Sequence, residues 1–248
     1  MSAEKNRQFM KTDFAESNHQ RSDQAKGLPF PPLQKEAPAG EMEVVDLPEP
    51  DPGVAVKTEF YQLLKDRESR RQFTDESFSL AELSFLLYST QGVKEVVGED
   101  YATRRTVPSA GARHPFETYL AVNRVEELTP GLYRYLPLTH QLLFLEPSDQ
   151  LLEPLAKANL GQRFVGQSAS VFIWSCIPYR AEWRYQNHAH KNMLIDVGHI
   201  CQNLYLAAEA LGAGTCAIGA YDQTAMDSLL ELDGVDEYVV YLAPVGKI

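Results

Sequence analysis

Arg67, Ser69, Arg70 and Arg71 fall within five residues of a chain whose formal charge is −11. In an extended segment alternate side chains share a face, so Arg67, Ser69 and Arg71 converge on one side. A guanidinium fork matches planar and tetrahedral oxyanions, and a phosphate monoester is the ligand such a trio takes. The competing reading is a solvated charge run paired with Asp66, Glu68 and Asp75. A second chemical signal lies late in the chain, at Gly212-Ala-Gly214-Thr-Cys-Ala-Ile-Gly219. A dinucleotide loop follows a strand and opens a helix. This segment closes a helix and enters a strand, so its glycines serve a close backbone approach to a flat ligand instead. His188, His190, His199, Cys201 and Cys216 lack metal-ligand spacing, and no metal site is expected. No Gly-x-Ser-x-Gly elbow supports a hydrolase. Cys176, Cys201 and Cys216, odd in number and widely spaced, read as small buried hydrophobes, not as a disulfide framework.

The elements that must position these groups follow from composition and period. The 248 residues are 44% apolar and 23% charged, an ordinary globular balance. The acidic excess argues against nucleic acid and against an anionic membrane surface. No apolar run of roughly 18 residues is present, and the first residues carry no apolar signal core, so a cytoplasmic location is expected. Residues 1–52 hold prolines at 29, 31, 32, 38, 48, 50 and 52 with little helical or strand period. They read as an extended arm wrapping the body or a neighbouring subunit, with Pro29-Phe30-Pro31-Pro32 as an alternative polyproline ligand. Residues 53–248 read as one folded domain.

Within it, Phe60, Leu63 and Leu64 mark a short helix, and Ser79-Leu-Ala-Glu82 is a capping box opening a helix that Gly92 ends. Residues 116–122, 132–136 and 141–145 read as strands, 150–157 as a helix and 170–177 as a buried strand. Met193, Val197, Ile200, Cys201, Leu204, Ala208 and Leu211 recur at helical spacing before Gly212. A strand over 214–219, a helix over 224–231 and a strand over 237–245 complete the chain. Loops 92–106 and 178–192 carry no derivable conformation. Strands and helices mix without βαβα alternation, which predicts an α+β fold.

Six segments then fall in order: Arg67-Glu-Ser69-Arg70-Arg71-Gln-Phe73; Pro108-Ser109-Ala110-Gly111-Ala112 through Glu117; Trp183-Arg184-Tyr185; Asp196-Val-Gly198-His199 through Leu204; Ala217-Ile218-Gly219-Ala-Tyr221-Asp222; and Pro244-Val-Gly246-Lys247. This order resembles the FMN-dependent nitroreductase superfamily, and within it the SagB-type dehydrogenase branch, over residues 57–248. The resemblance implies a mixed, largely antiparallel sheet flanked by helices in a two-subunit fold, with FMN at a homodimer interface. It implies that Arg67, Ser69 and Arg71 hold the FMN phosphate and ribityl chain, and that Pro108, Ser109, Ala110 and Gly111 lie against the isoalloxazine. Ile218, Gly219 and Ala220 correspond to the loop facing flavin N5, with Gly219 as the contact, and Lys247 to a basic end that reaches the phosphate. Ala112 stands where many relatives have Asn.

Arg184-Tyr185 resembles the Lys-Tyr pair of azoline-oxidising relatives and supplies the catalytic candidates. Arginine stays protonated and is a poor base, which leaves Tyr185 to exchange a proton; its alternative role is an interface aromatic. Asp196, His199 and Asn203 form a polar stripe read as structural, with contacts across a dimer or toward the flavin as the alternative. The implied activity is hydride transfer through flavin N5 in a ping-pong scheme, with NAD(P)H as candidate donor and a small-molecule or peptide substrate. The alternatives are azoline-type dehydrogenation of a peptide and a non-catalytic flavin-binding scaffold.

Overall fold

The computed structural model describes Arg7 and residues 9–11, 22–148 and 150–248. The remainder of the arm, including residues 12–21, lies outside the described residues. Its frame is a seven-stranded sheet in the order β1-β6-β5-β4-β7-β9-β8. The strands are β1 Val44–Asp46, β4 Phe116–Val122, β5 Gly131–Leu136, β6 Gln141–Pro147, β7 Ser170–Cys176, β8 Ala213–Thr215 and β9 Tyr238–Lys247. Every ladder between them is antiparallel. Among the described residues, parallel pairing is confined to the single bridges Ser69–Thr215 and Phe78–Val125. The α+β, largely antiparallel expectation holds.

The central strands are apolar on both faces, so each side of the sheet must be covered by helices. In β7, Phe172 and Trp174 point one way and Val171 and Ile173 the other, all fully buried. Burying each such side chain contributes about 1.5–3 kcal/mol before entropy is counted. The first face is covered by α2 (Leu80–Gln91) and by α5 (Ala189–Ala210), through Leu83, Leu86, Met193, Ile200 and Leu204. The second is covered by α3 (Leu152–Ala158) and α6 (Gln223–Leu229), through Leu155 and Met226. Helix α1 spans Phe60–Asp66, and the capping box at Ser79 and Glu82 forms in full.

Two segments without a derivable conformation take regular structure, and one expected strand shortens. Loop 92–106 is a hairpin of β2 (Val93–Val97) and β3 (Ala102–Arg105), turned by Gly98, Glu99 and Asp100 at positive φ. Loop 178–192 contains helix α4 (Tyr179–Tyr185), stopped where Gln186 takes φ 49, and α5 already begins at Ala189. The strand expected over 214–219 ends at Thr215, because the Ala217 N–H goes to the Tyr205 hydroxyl at 2.9 Å instead of to a strand partner. Only Ile218 returns to β9, through a bridge to Leu242.

Residues 22–27 form a turn closed by the Lys26, Gly27 and Leu28 N–H groups on the Ser22, Gln24 and Asp23 carbonyls, and residues 28–46 cross the body with no regular element before β1. The Arg105 guanidinium donates to Leu33 O at 3.1 Å, and that of Arg134 to Lys35 O and Glu36 O at 3.1 and 2.8 Å. The Lys35 N–H donates to the buried Glu117 carboxylate at 2.8 Å. Strand β1 then covers the outer edge of β6.

Candidate functional site

Helix α1 closes with the Arg67 N–H on Leu63 O, which releases the arginine segment into extended backbone. That segment runs along β8: the Arg70 N–H donates to Thr215 O at 3.0 Å, and the Thr74 N–H to Lys247 O at 2.9 Å. Arg67 and Ser69 share the Tyr205 side as alternation expects, whereas Arg71 leaves them for Phe164. Arg67 lies over the Tyr205 ring at 5.3 Å, Ser69 Oγ is 2.9 Å from the Tyr205 hydroxyl, and Arg71 lies over the Phe164 ring at 5.9 Å. Arg70 turns to Glu68 at 2.8 Å and to the buried Glu209 at 3.7 Å. It packs so closely on Gly214 that a Cβ there would stand 2.7 Å from the Arg70 Cβ. Residues 68–74 and Ile248 line an open cleft of about 580 Å³, which brings Ser69 and Arg71 together with Glu68 and leaves Arg67 outside its lining. Arg67 and Arg71 have no carboxylate partner among the described residues.

Beyond Thr215 the glycine segment is tied to this cradle through the Tyr205 side chain. Tyr205, from α5, contacts Ser69 with its hydroxyl and receives the Ala217 N–H with the same oxygen. Ile218 spends its amide and carbonyl on Leu242. Gly219 and Ala220 are exposed beyond it, and among the described residues the Gly219 N–H has no hydrogen-bond partner. The Ala220 carbonyl accepts from Gln162 Nε2 at 3.3 Å. Lys247 does not line the cleft. Its ammonium pairs with Glu82 and lies over the Phe78 ring, because alternation on β9 sends Ile248 into the cleft and Lys247 to the opposite face.

A second cluster forms around the Pro108–Gly111 loop. Ser109 Oγ donates to Asp196 Oδ2 at 2.6 Å and accepts from the His114 N–H at 2.9 Å, while the Ala110 N–H donates to the same Asp196 carboxylate at 3.2 Å. Burial raises the Asp196 carboxyl, opposed by those hydrogen bonds. Pro108 stays exposed. Gly111 takes φ 60, where a side chain is strained, and a Cβ there would sit 2.5 Å from the Tyr185 hydroxyl and 3.1 Å from Arg184 Cδ. Burial, then the charge of Arg105, pushes the His114 imidazole down to about 2, so the loop is backed by a neutral ring.

Asp196 and Tyr205 hold the two clusters to one helix nine residues apart, about 13.5 Å along its axis. No hydrogen bond or ion pair joins 67–71 to 108–111 among the described residues. The polar stripe divides: Asp196 holds the loop, Asn203 donates to Ser89 O at 2.8 Å, and His199 is exposed. Sequence reasoning missed Tyr205, whose only signal was a polar-tipped aromatic beside an apolar stripe. Among the described residues no group of His, Cys, Asp and Glu is placed to hold a metal ion, and no helix is long and apolar enough to cross a membrane.

The sequence profile described as the nitroreductase family matches residues 64–247. The chain is 32% identical over 185 residues to the nitroreductase-like protein MJ1384 of Methanocaldococcus jannaschii, covering 75% of this chain and 89% of that protein. It is 33% identical over 141 residues to the trifolitoxin-processing protein TfxB of Rhizobium leguminosarum bv. trifolii, covering 54% of this chain and 38% of that protein. The crystal structure of a nitroreductase-like protein of Ralstonia eutropha JMP134 superposes with a TM-score of 0.67 at 25% identity, over 89% of this chain and 98% of that one.

Proposed function

The chain belongs to the nitroreductase family, and from that premise we propose that it is an FMN-dependent oxidoreductase working as a homodimer. The observation that carries the reading is the link through Tyr205, whose hydroxyl touches Ser69 and receives the Ala217 N–H two residues before the turn at Gly219, with the Arg67 and Arg71 guanidinium groups lacking carboxylate partners among the described residues and the Gly219 N–H free there. That donor set fits a phosphorylated flavin. When bound, FMN supplies hydride acceptance at N5 and passes the electrons to a second substrate in a separate half-reaction.

The chain's own residues bind, orient and shield. Arg67, Ser69 and Arg71 hold the phosphate by charge-assisted hydrogen bonds. Gly219 offers its N–H to the ring, with Ile218 pinned to β9 and Ala220 to Gln162 so that the turn keeps its aim. Pro108, Ser109, Ala110 and Gly111 form a wall that Asp196 fixes in place. Tyr185, with its hydroxyl against Gly111, is the group that exchanges a proton, since the Arg184 guanidinium stays protonated. Lys247, committed to Glu82, is assigned to fold closure and not to the phosphate.

A second copy supplies the missing proximity between the two clusters. Phe60, Tyr61 and Leu64 on α1 and Leu194 and Ile195 on α5 are exposed and apolar, as an interface between copies requires. The test is reconstitution with FMN followed by the visible spectrum and sedimentation. A yellow dimer with one flavin per chain supports the reading, and a colourless protein at saturating FMN refutes it. Peptide azoline oxidation is the second reading, favoured by the similarity to TfxB. It requires a loss of two hydrogens from a heterocyclised peptide, read by mass spectrometry.

A further inference from the structure

Arg184 sits in the last turn of α4 with its guanidinium committed to no carboxylate among the described residues. In a chain where Asp and Glu outnumber Lys and Arg by 34 to 23, an arginine without an acidic partner beside a functional loop calls for a ligand. Its Cδ and Nε run past Gly111, at 3.1 and 3.2 Å from where a Cβ would stand, and its guanidinium lies over the Tyr185 ring at 5.5 Å. One donor is used: Nη1 reaches the Tyr101 hydroxyl at 3.4 Å. The carboxylate beside this loop, Asp196, is already taken by Ser109 and the Ala110 N–H.

Tyr101, at the tip of the β2–β3 hairpin, is held on every side. Its hydroxyl accepts from Gln24 Nε2 at 2.9 Å. Its ring meets Phe30 and Trp183 edge-on at 5.6 and 6.2 Å. Arg113 lies over both Tyr101 and Trp183, at 5.1 and 5.3 Å, and donates to Tyr101 O at 2.6 Å. Gln24 is itself tied to α4, its N–H on Trp183 O at 3.0 Å, while Trp183 Nε1–H donates to Leu28 O at 3.1 Å. Segment 22–30, the hairpin tip and α4 thus form one wall that carries two cations, the buried Arg113 and, beside Gly111, the half-buried Arg184.

We propose that Arg184 anchors the carboxylate of a small planar substrate beside the 108–111 loop, and that Tyr101, tethered by Gln24, is the positioning residue that aims the guanidinium. This deepens the flavoprotein reading and rests on it. A guanidinium fork takes a carboxylate in its own plane through two parallel hydrogen bonds, and the Tyr185 ring beside it favours a flat, conjugated body. The substrate class is therefore a conjugated or aromatic carboxylic acid, in preference to an uncharged heterocyclised peptide.

The experiment titrates the FMN-loaded full-length protein with benzoate and with benzamide, its neutral counterpart, reading the flavin absorbance change. Benzoate is expected to bind at least tenfold more tightly. Arg184→Gln brings the ratio of the two Kd values to near one, and Arg184→Lys restores part of it. Tyr101→Phe, which keeps the ring packing, cuts the ratio threefold or more. Equal binding of the two ligands by the unmodified protein overturns the anchor, as does an Arg184→Gln variant that keeps the full ratio. An unchanged ratio in Tyr101→Phe overturns the positioning role. Failure to load FMN at all overturns the proposed function first, a distinct result read before any ligand is added.

Discussion

Replacing Arg71 by alanine separates a phosphate cradle from a solvated charge run, because its neighbour Arg70 is the built-in comparison. Both line the cleft, but among the described residues Arg71 contacts only the Phe164 ring, whereas Arg70 is spent on Glu68 and Glu209. Hydrogen bonds to a charged group contribute roughly 1.5–3 kcal/mol each. Losing one such bond to the phosphate weakens FMN by a factor of about 10–150, since about 1.4 kcal/mol is tenfold. Arg70→Ala removes an arm of the Glu209 network, which Lys57 still partners. Its expected cost falls on stability, with FMN affinity held within about threefold. Quenching of FMN fluorescence on titration measures both affinities, and a urea melt measures both stabilities. An Arg71→Ala protein that binds FMN as tightly as the unmodified chain refutes the cradle. So does an Arg70→Ala protein that loses as much affinity as Arg71→Ala.

Four further outcomes are expected. Gly111→Ala places a Cβ against the Tyr185 hydroxyl at positive φ and should cost about 1–3 kcal/mol, read by thermal melting; an unchanged Tm contradicts the packing. Ser79→Ala removes the cap from α2 and should cost about 0.5–2 kcal/mol, with an unaltered urea midpoint as the contrary result. Stability should fall as pH drops below about 6.5: burial lowers both His114 and His140, so the unfolded chain binds the protons, at up to about 1.4 kcal/mol per imidazole per pH unit. Burial works to raise Glu117, but Arg180, Arg134 and its hydrogen bonds hold it below its ordinary 4.5, so its contribution is lost as pH falls through that lowered value. Asp196, raised by burial, opposes both trends; a urea midpoint that is flat from pH 7 to 4 refutes the balance. Glu117→Gln leaves Arg180 buried without its charge partner and should cost about 3–5 kcal/mol, seen as early unfolding in denaturant.

Local grammar was the legible part of this molecule. The Ser79–Glu82 box, the helical period through Leu211 and the apolar runs of β4 and β7 are written in adjacent residues, and the structure follows them. The spacing of Arg67 and Ser69 likewise puts both side chains against Tyr205, while Arg71 goes to Phe164. What depends on distant partners was not legible. Tyr205 joins the cradle to the glycine turn from 136 residues beyond Ser69. The β2–β3 hairpin carries an exposed Lys94-Glu95 pair and turns on Glu99 and Asp100 at positive φ, so neither alternation nor a standard turn dipeptide marks it. Helix α4 is held by segment 22–28 across more than 150 residues of chain. The orientation of Lys247 follows from which β9 neighbour enters the cleft, and a basic residue near the end of a strand does not reveal that by its type alone.

The buried arginines that cross beneath residues 33–36 grip peptide oxygens, and a peptide oxygen is the same whatever amino acid bears it. Substitutions along that stretch leave the grip intact, apart from proline at Lys35, whose N–H serves Glu117. Inserting or deleting one residue is another matter: it slides three acceptors out from under two fixed guanidinium groups at once. The strap is thus free to change its letters but not its length.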